Sequence, residues 1–406
     1  MKKDRIDSLD SLRGIASMIV VIFHTVVSYP AFYNANYHFK FESPFLELLI
    51  TSPLHTFVAG GEAVLLFFIL SGFVLTLPFT NKSNDISYFE YIKKRFCRIY
   101  IPYILIMLFS IMLMFLLANY NGIDSLSPAF NNRWQHQITV GSIISYLFMI
   151  GYDQTNVNGV VWSLDHEMRI SLIFPFLVLL LLKSAWLRNF LYLTIVCLTL
   201  KFGLLGLSLF IKNAFLSAFI YSLSNTSYYT ILFLIGALFA KNRKEICAIF
   251  ISLKTTLKWG IGLLGFIFLN FKWIFYGLSA YKSNFVFFNM ISILNDFMAV
   301  LGVILLMLVV LCSIKVDKFL NKKPLLWLGK ISYSLYLVHT PVLMVTIYYF
   351  KEVFPLYFSI LIAPILALPV AHLSFIYIEL PAIRLGKIKG AVNKTSKNIK
   401  FAKAKS

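Results

Sequence analysis

The chain has 406 residues, of which 59% are hydrophobic, 17% aromatic and only 13% charged, with a formal net charge of +20. No water-soluble core encloses that share of apolar surface, so the composition excludes a soluble enzyme and predicts an all-α polytopic membrane protein. Nucleic-acid binding is not needed to explain the basic balance, because 28 of the 37 lysines and arginines fall up to Arg13, at 82–98, 183–188, 241–258 and 315–323, and beyond Ile378. The intervening loops hold singles such as Lys40 and Arg133. Cytoplasmic loops collect such residues, which predicts about ten transmembrane helices with both termini in the cytoplasm.

The apolar runs place these helices at approximately 11–31, 55–79, 99–119, 168–183, 187–208, 225–240, 255–271, 287–312, 327–350 and 355–378. Two shorter runs, 139–151 and 213–222, predict re-entrant or interfacial pieces. Residues 1–380 read as one integral membrane domain. Residues 381–406 read as a basic cytoplasmic tail lying against anionic lipid. The four cysteines, at 97, 197, 247 and 312, show no paired spacing, so neither a disulfide framework nor a zinc site is expected.

In the first run, Asp10 and Arg13 share a helix face, and Arg13 and His24 are three turns apart, about 20° from alignment and roughly 16 Å along the axis. With Arg13 at the membrane surface, His24 projects near the bilayer midplane. An ionisable group there lines a cavity or finds a partner, which makes His24 a site candidate. The plainer reading is an anchor arginine and a histidine hydrogen-bonded to a neighbouring helix. In the second run Glu62 enters apolar sequence, while Ser71 and Gly72 suit close helix packing. Before the third, Arg95 and Arg98 share a face. They are either topology markers or a clamp for a phosphorylated ligand, since guanidinium groups grip phosphate bidentately.

Further on, Asp165, His166, Glu167 and Arg169 crowd the start of an apolar helix, where a carboxylate faces protein or cavity rather than lipid. The middle of the chain, roughly 184–325, is sparse in polar groups apart from Asn225, Lys272, Asn295 and Asp296. Near the end, Tyr333, Tyr336 and His339 recur at helical spacing, and Glu379 closes the last run as a cap or a partner for a basic residue.

Taken together and in this order, these stretches resemble the acyltransferase-3 family of integral membrane acyltransferases. The opening LDxLRGxAxxxVxxxH signature is matched by Leu9, Asp10, Leu12, Arg13, Gly14, Ala16, Val20 and His24. An FFxLSGF element lies at 67–73, a basic element at 95–103, a WSLxxE element at 162–167 and an SYxLYLxHxP element at 332–341. The sequence departs after WSLxxE, where Met168, Arg169, Ile170 and Ser171 replace an aromatic stretch and put an arginine beside Glu167, with which it is expected to pair or which it helps to fit a particular acceptor.

The resemblance implies an O-acyltransferase, most often an O-acetyltransferase, that moves an acyl group from cytoplasmic acetyl-CoA to a hydroxyl of a surface or lipid-linked glycan. It implies a multi-pass protein of the bacterial cytoplasmic (inner) membrane. His24 is expected as general base and Glu167 as the second catalytic group; Asp10, Arg13, Ser71, Arg95 and Arg98 are expected at the coenzyme A site. Trp162, Tyr336 and His339 are expected to contact the acceptor. No metal is implied. The partners implied are the glycan or lipid-linked sugar, membrane lipid and, as one option, a second copy of the chain, with no nucleic acid. The alternative is a carrier or flippase for a lipid-linked sugar, against which stands the absence of an internal repeat.

Overall fold

The structure is a computed structural model that describes residues 6–80, 87–117, 122–183, 185–275, 285–351 and 353–387, and over 285–293 the backbone only. The tail beyond Lys387 and Lys82 of the second basic segment lie outside the described residues. In chain order, α1 (Asp7–Val26), α2 (Pro30–His38), α3 (Pro44–Thr51), a 3₁₀ turn (Pro53–Val58) and α4 (Gly60–Thr80) are followed by α5 (Tyr88–Leu117). Then come α6 (Pro128–Asn131), α7 (Val140–Phe148), α8 (Gln154–Val157), α9 (Trp162–Leu181), α10 (Trp186–Phe210) and α11 (Ala214–Ser252). The chain closes with α12 (Thr255–Leu269), α13 (Phe271–Ile274), α14 (Phe285–Cys312), α15 (Ile314–Leu320), α16 (Lys323–Phe350), α17 (Leu356–Ser374), a π-helical turn (Phe375–Glu379) and α18 (Leu380–Lys387). The protein is an all-α polytopic membrane protein, and among the described residues eight helices are long and apolar enough to cross a membrane.

The other two expected spans form helices that fall short of that standard for identifiable reasons. α9 has the length, but its first turns carry Asp165, Glu167 and Arg169; α12 has only 15 residues. Three local expectations are corrected. The third span begins at Tyr88, so Arg95 and Arg98 sit on the helix and Pro102 lies inside it. The run at 213–222 is no separate piece; it continues into the expected 225–240 span as the 39-residue α11, with no glycine or proline between 214 and 235 to stop it. Finally, Cys247 and Cys312 are joined by a disulfide across 65 residues, a pairing that spacing alone does not reveal.

Two compact units make up the chain: Met1–Phe67, Asn121–Asn132 and Arg243–Leu368 in the first, and Phe68–Tyr120, Arg133–Asn242 and Pro369–Ser406 in the second. In the first, α1 and α16 run side by side in the same direction. Contact is close because both helices present glycine: a Cβ on Gly14 would lie 2.5 Å from the Gly329 amide nitrogen. One turn on, Ser17 Oγ donates to the Ser332 carbonyl at 3.0 Å, so the helices keep one register. α2, α3 and the 3₁₀ turn pack against the C-terminal end of α1 around Val27, Phe32, Ala35, Ile50, Val58 and Trp273. Each starts on a proline, whose missing N–H costs nothing in a first turn, and Ser43 and Ser52 cap the second and third. His55 stacks on Trp273 with ring centroids 4.0 Å apart; burial first, then the Lys272 ammonium, hold its pKa down at about 3, so it packs as a neutral ring.

In the second unit the SGF stretch of α4 lies against α11. Gly72 faces the Phe233 backbone and Gly236 faces the Ile69 and Phe73 backbones, with no room for a Cβ at either. α5 is tied to α9 by Tyr91 and Tyr88, whose hydroxyls donate to the Ser171 and Leu172 carbonyls at 3.1 Å each. α10 turns large apolar side chains outward, up to 85% exposure at Phe210, as a lipid-facing helix does.

Candidate active site

In the first unit the polar centre is a histidine pair. The register of α1 and α16 that faces Gly14 to Gly329 and Ser17 to Ser332 also sets His24 against His339, each pair 315 residues apart in sequence. His24 Nδ1 lies 3.1 Å from His339 Nε2 and 3.0 Å from the Val20 carbonyl, while His339 Nδ1 lies 3.1 Å from the Leu335 carbonyl. A carbonyl only accepts, so the neutral His339 ring carries its proton on Nδ1 and offers a lone pair on Nε2. His24 Nδ1 must then be the donor, shared between Val20 O and His339. The consequence is that the basic lone pair of His24 is on Nε2. His339 is buried at 2% exposure, whereas His24 stays half-buried. Tyr336, also buried, sets its ring edge-on to those of His339 and Phe67, at 6.1 and 5.7 Å between centroids.

The second unit holds Glu167 on the first turns of α9. Its Oε1 accepts the Ser71 hydroxyl at 3.0 Å, so the serine expected at the coenzyme A site spends its hydrogen on the carboxylate. The expected pairing of Arg169 with Glu167 does not occur. Arg169 instead donates through Nη1 to Ser222 Oγ at 2.8 Å and Thr226 Oγ1 at 3.0 Å, and through Nη2 to the Met149 carbonyl. The reason is helical geometry: residues two apart point about 200° away from each other, so Arg169 turns to α11 while Glu167 turns to α4. Asp165, four residues before Arg169 and fully buried, accepts from the Gln154 amide. His166 Nδ1 meets Thr226 Oγ1 at 2.9 Å, and its ring lies against those of Trp162 and Tyr229, at centroid distances of 5.9 and 5.0 Å.

Arg133, read from the sequence as one of the scattered loop cations, is buried, with its guanidinium against Gly159 where a side chain would collide. Asp10 and Arg13 occupy the first two turns of α1. Arg95 and Arg98 lie three residues apart on α5, partly exposed, with the Arg95 guanidinium 6.0 Å from the Tyr91 ring centre. Sequence reasoning missed Ser222, Thr226 and Tyr229. The available signal was the run of hydroxyl-bearing residues from Ser222 to Thr230 inside an otherwise apolar helix.

The model of the acyltransferase-3 family, described as an acyltransferase domain, matches residues 6–374. No curated protein and no solved structure gives a significant match. The match spans both units, the histidine pair and the Glu167 cluster alike, and the chain therefore belongs to the acyltransferase-3 family.

Proposed function

We propose that this membrane acyltransferase is an O-acyltransferase that takes its acyl group, most simply acetyl, from acyl-coenzyme A on the cytoplasmic side and passes it to a hydroxyl of a surface or lipid-linked glycan in a bacterial inner membrane. The observation that carries this reading is the histidine pair. A hydroxyl is a poor nucleophile near neutral pH, and a positioned imidazole that removes its proton in the transition state contributes roughly 10² to 10⁴-fold. His24 Nε2 takes the proton as the hydroxyl oxygen attacks the thioester carbonyl. When the tetrahedral intermediate collapses, the C–S bond breaks and the same proton goes to the departing thiolate, so the products are ester and free coenzyme A. Throughout, His339 Nε2 accepts the Nδ1 proton of His24, which holds the ring and spreads the charge of the transient imidazolium.

The remaining roles follow from charge and exposure. Arg13, Arg95 and Arg98 are assigned to the coenzyme A phosphates, with Asp10 beside Arg13 at the donor side. Glu167, whose Oε1 is held by Ser71, presents its other carboxylate oxygen to an acceptor hydroxyl. The purified protein with acetyl-CoA and a hydroxyl acceptor should release thiol and form ester. His24→Gln should fold and bind donor but lose at least about 10²-fold in kcat, because an amide cannot take the proton. A folded His24→Gln protein that transfers at near wild-type rate would remove His24 from the chemistry.

A further inference from the structure

His166 takes no part in the mechanism above, yet every hydrogen around it is accounted for. Thr226 Oγ1 donates its one hydrogen to the Ser222 carbonyl at 3.0 Å. Its two lone pairs are left to accept, and two groups approach them: Arg169 Nη1, which can only donate, and His166 Nδ1. His166 Nδ1 therefore carries the proton, and the Nε2 of the neutral ring is an acceptor. Among the described residues Nε2 meets no hydrogen-bond partner, and neither does the indole N–H of Trp162, one turn earlier on α9. The rings of Trp162, His166 and Tyr229 form a triangle, with Trp162 and Tyr229 5.8 Å apart and His166 5.9 and 5.0 Å from them, and Phe68 backs Tyr229 in a stack at 4.4 Å. His166 is 3% exposed, while Trp162 is half-buried.

We infer that Trp162, His166 and Tyr229 form a subsite for a neutral hydroxylated ring, a sugar residue of the acceptor, in which one hydroxyl donates to His166 Nε2 and accepts from Trp162 Nε1–H. The inference rests on the proposed O-acyltransferase activity and adds the residues that select the acceptor. An alcohol is the group that satisfies a lone acceptor and a lone donor at once, and the apolar face of a pyranose covers aromatic rings at little desolvation cost. A phosphate would bring only acceptors to a nitrogen lone pair, so the carrier phosphate of a lipid-linked sugar and the coenzyme A phosphates are not what this subsite takes. Arg169 acts here as a positioning residue: by filling one Thr226 lone pair it fixes which nitrogen of His166 faces the ligand.

The test uses the full chain, purified in detergent, with acetyl-CoA as donor and octyl glucoside as hydroxyl acceptor. In His166→Asn the amide NH₂ stands where Nδ1–H was and keeps the Thr226 bond, but nothing replaces Nε2. In His166→Gln the amide reaches the Nε2 position and keeps an acceptor there. The asparagine variant should show an acceptor KM raised about 10-fold, with kcat within twofold and the acetyl-CoA KM unchanged, as expected for one lost hydrogen bond; the glutamine variant should stay within about threefold of wild type. The reverse order, with asparagine tolerated and glutamine damaged, would mean that only the Thr226 bond matters and would overturn the inference. So would a fall in kcat at constant KM, which would make His166 a base. Wild-type protein that hydrolyses acetyl-CoA but never acylates the glucoside would overturn the sugar subsite and leave the donor reading standing. Wild-type protein that consumes no acetyl-CoA would overturn both.

Discussion

Replacing His339 by alanine would leave His24 in place yet remove the acceptor that shares its Nδ1 proton. The Val20 carbonyl, on the same helix, would still accept from Nδ1, but the cross-helix bond to His339 would be lost. His339→Ala should therefore lower kcat by about 10- to 100-fold with little change in either KM, whereas His339→Gln, which keeps an acceptor near Nε2, should recover a good part of the loss. Steady-state kinetics over both substrates check this, and equal activity in the two variants would reduce His339 to packing. Both histidines were legible as ionisable groups in apolar runs. Their pairing was not, because helical periodicity relates neighbours three and four residues apart and is silent on which residue of a distant helix comes alongside. Thr226 and Ser222 were harder still: hydroxyl side chains hardly disturb an apolar pattern, and their work becomes visible only when the donors around them are counted.

At the scale of elements, the α1–α16 contact depends on two glycines. A leucine at Gly14 would be driven into the Gly329 backbone, where no side chain can move aside. Gly14→Leu should destabilise by about 1–3 kcal/mol or more and misalign the histidines above it. Gly61→Leu is the matched control, since a Cβ there meets nothing within 4 Å. Thermal unfolding in detergent should separate the two, and equal midpoints would show that the helices part without cost. Helix existence was well marked by apolar length, and helix limits were not. The third span was expected at residue 99 because Lys93, Lys94, Arg95 and Arg98 look like loop, but charged residues are good helix formers and the helix runs back to Tyr88. The polar residues near 222–230 invited a break in what is one uninterrupted α11, since serine and threonine within a membrane helix can bond back to the carbonyl four residues earlier, as Thr226 and Thr230 do.

For the whole molecule, the parallel course of α1 and α16 requires an odd number of membrane crossings between them. Eight crossings, or ten if α9 and α12 also span, satisfy this equally, because those two helices change the number between them from five to seven. The basic segments predict a cytoplasmic N-terminus. Reporter fusions after Ser406 and in the α2–α3 connection near Lys40 should accordingly report opposite compartments. The same compartment at both points would contradict the map and the side assigned to the donor. The family and class of the protein were legible because its motifs are short, local and in order. How Arg169 is used was not, since its guanidinium is met by Ser222, Thr226 and the Met149 carbonyl, groups that only folding brings near.

The 315-residue offset that joins His24 to His339 also has a consequence for biogenesis. α1 leaves the ribosome some 315 residues ahead of its partner, so at about 5–20 residues per second the two are separated by on the order of 15 to 60 s of synthesis. During that interval the Gly14–Ser17 face of α1 has no α16 to pack against and must be sheltered by lipid, by other helices or by the insertion machinery. A chain released early carries His24 without its partner. On the proposed mechanism, competence for proton transfer thus arrives only once α16 has been made, and a chain that stops before it lacks the His24–His339 pair.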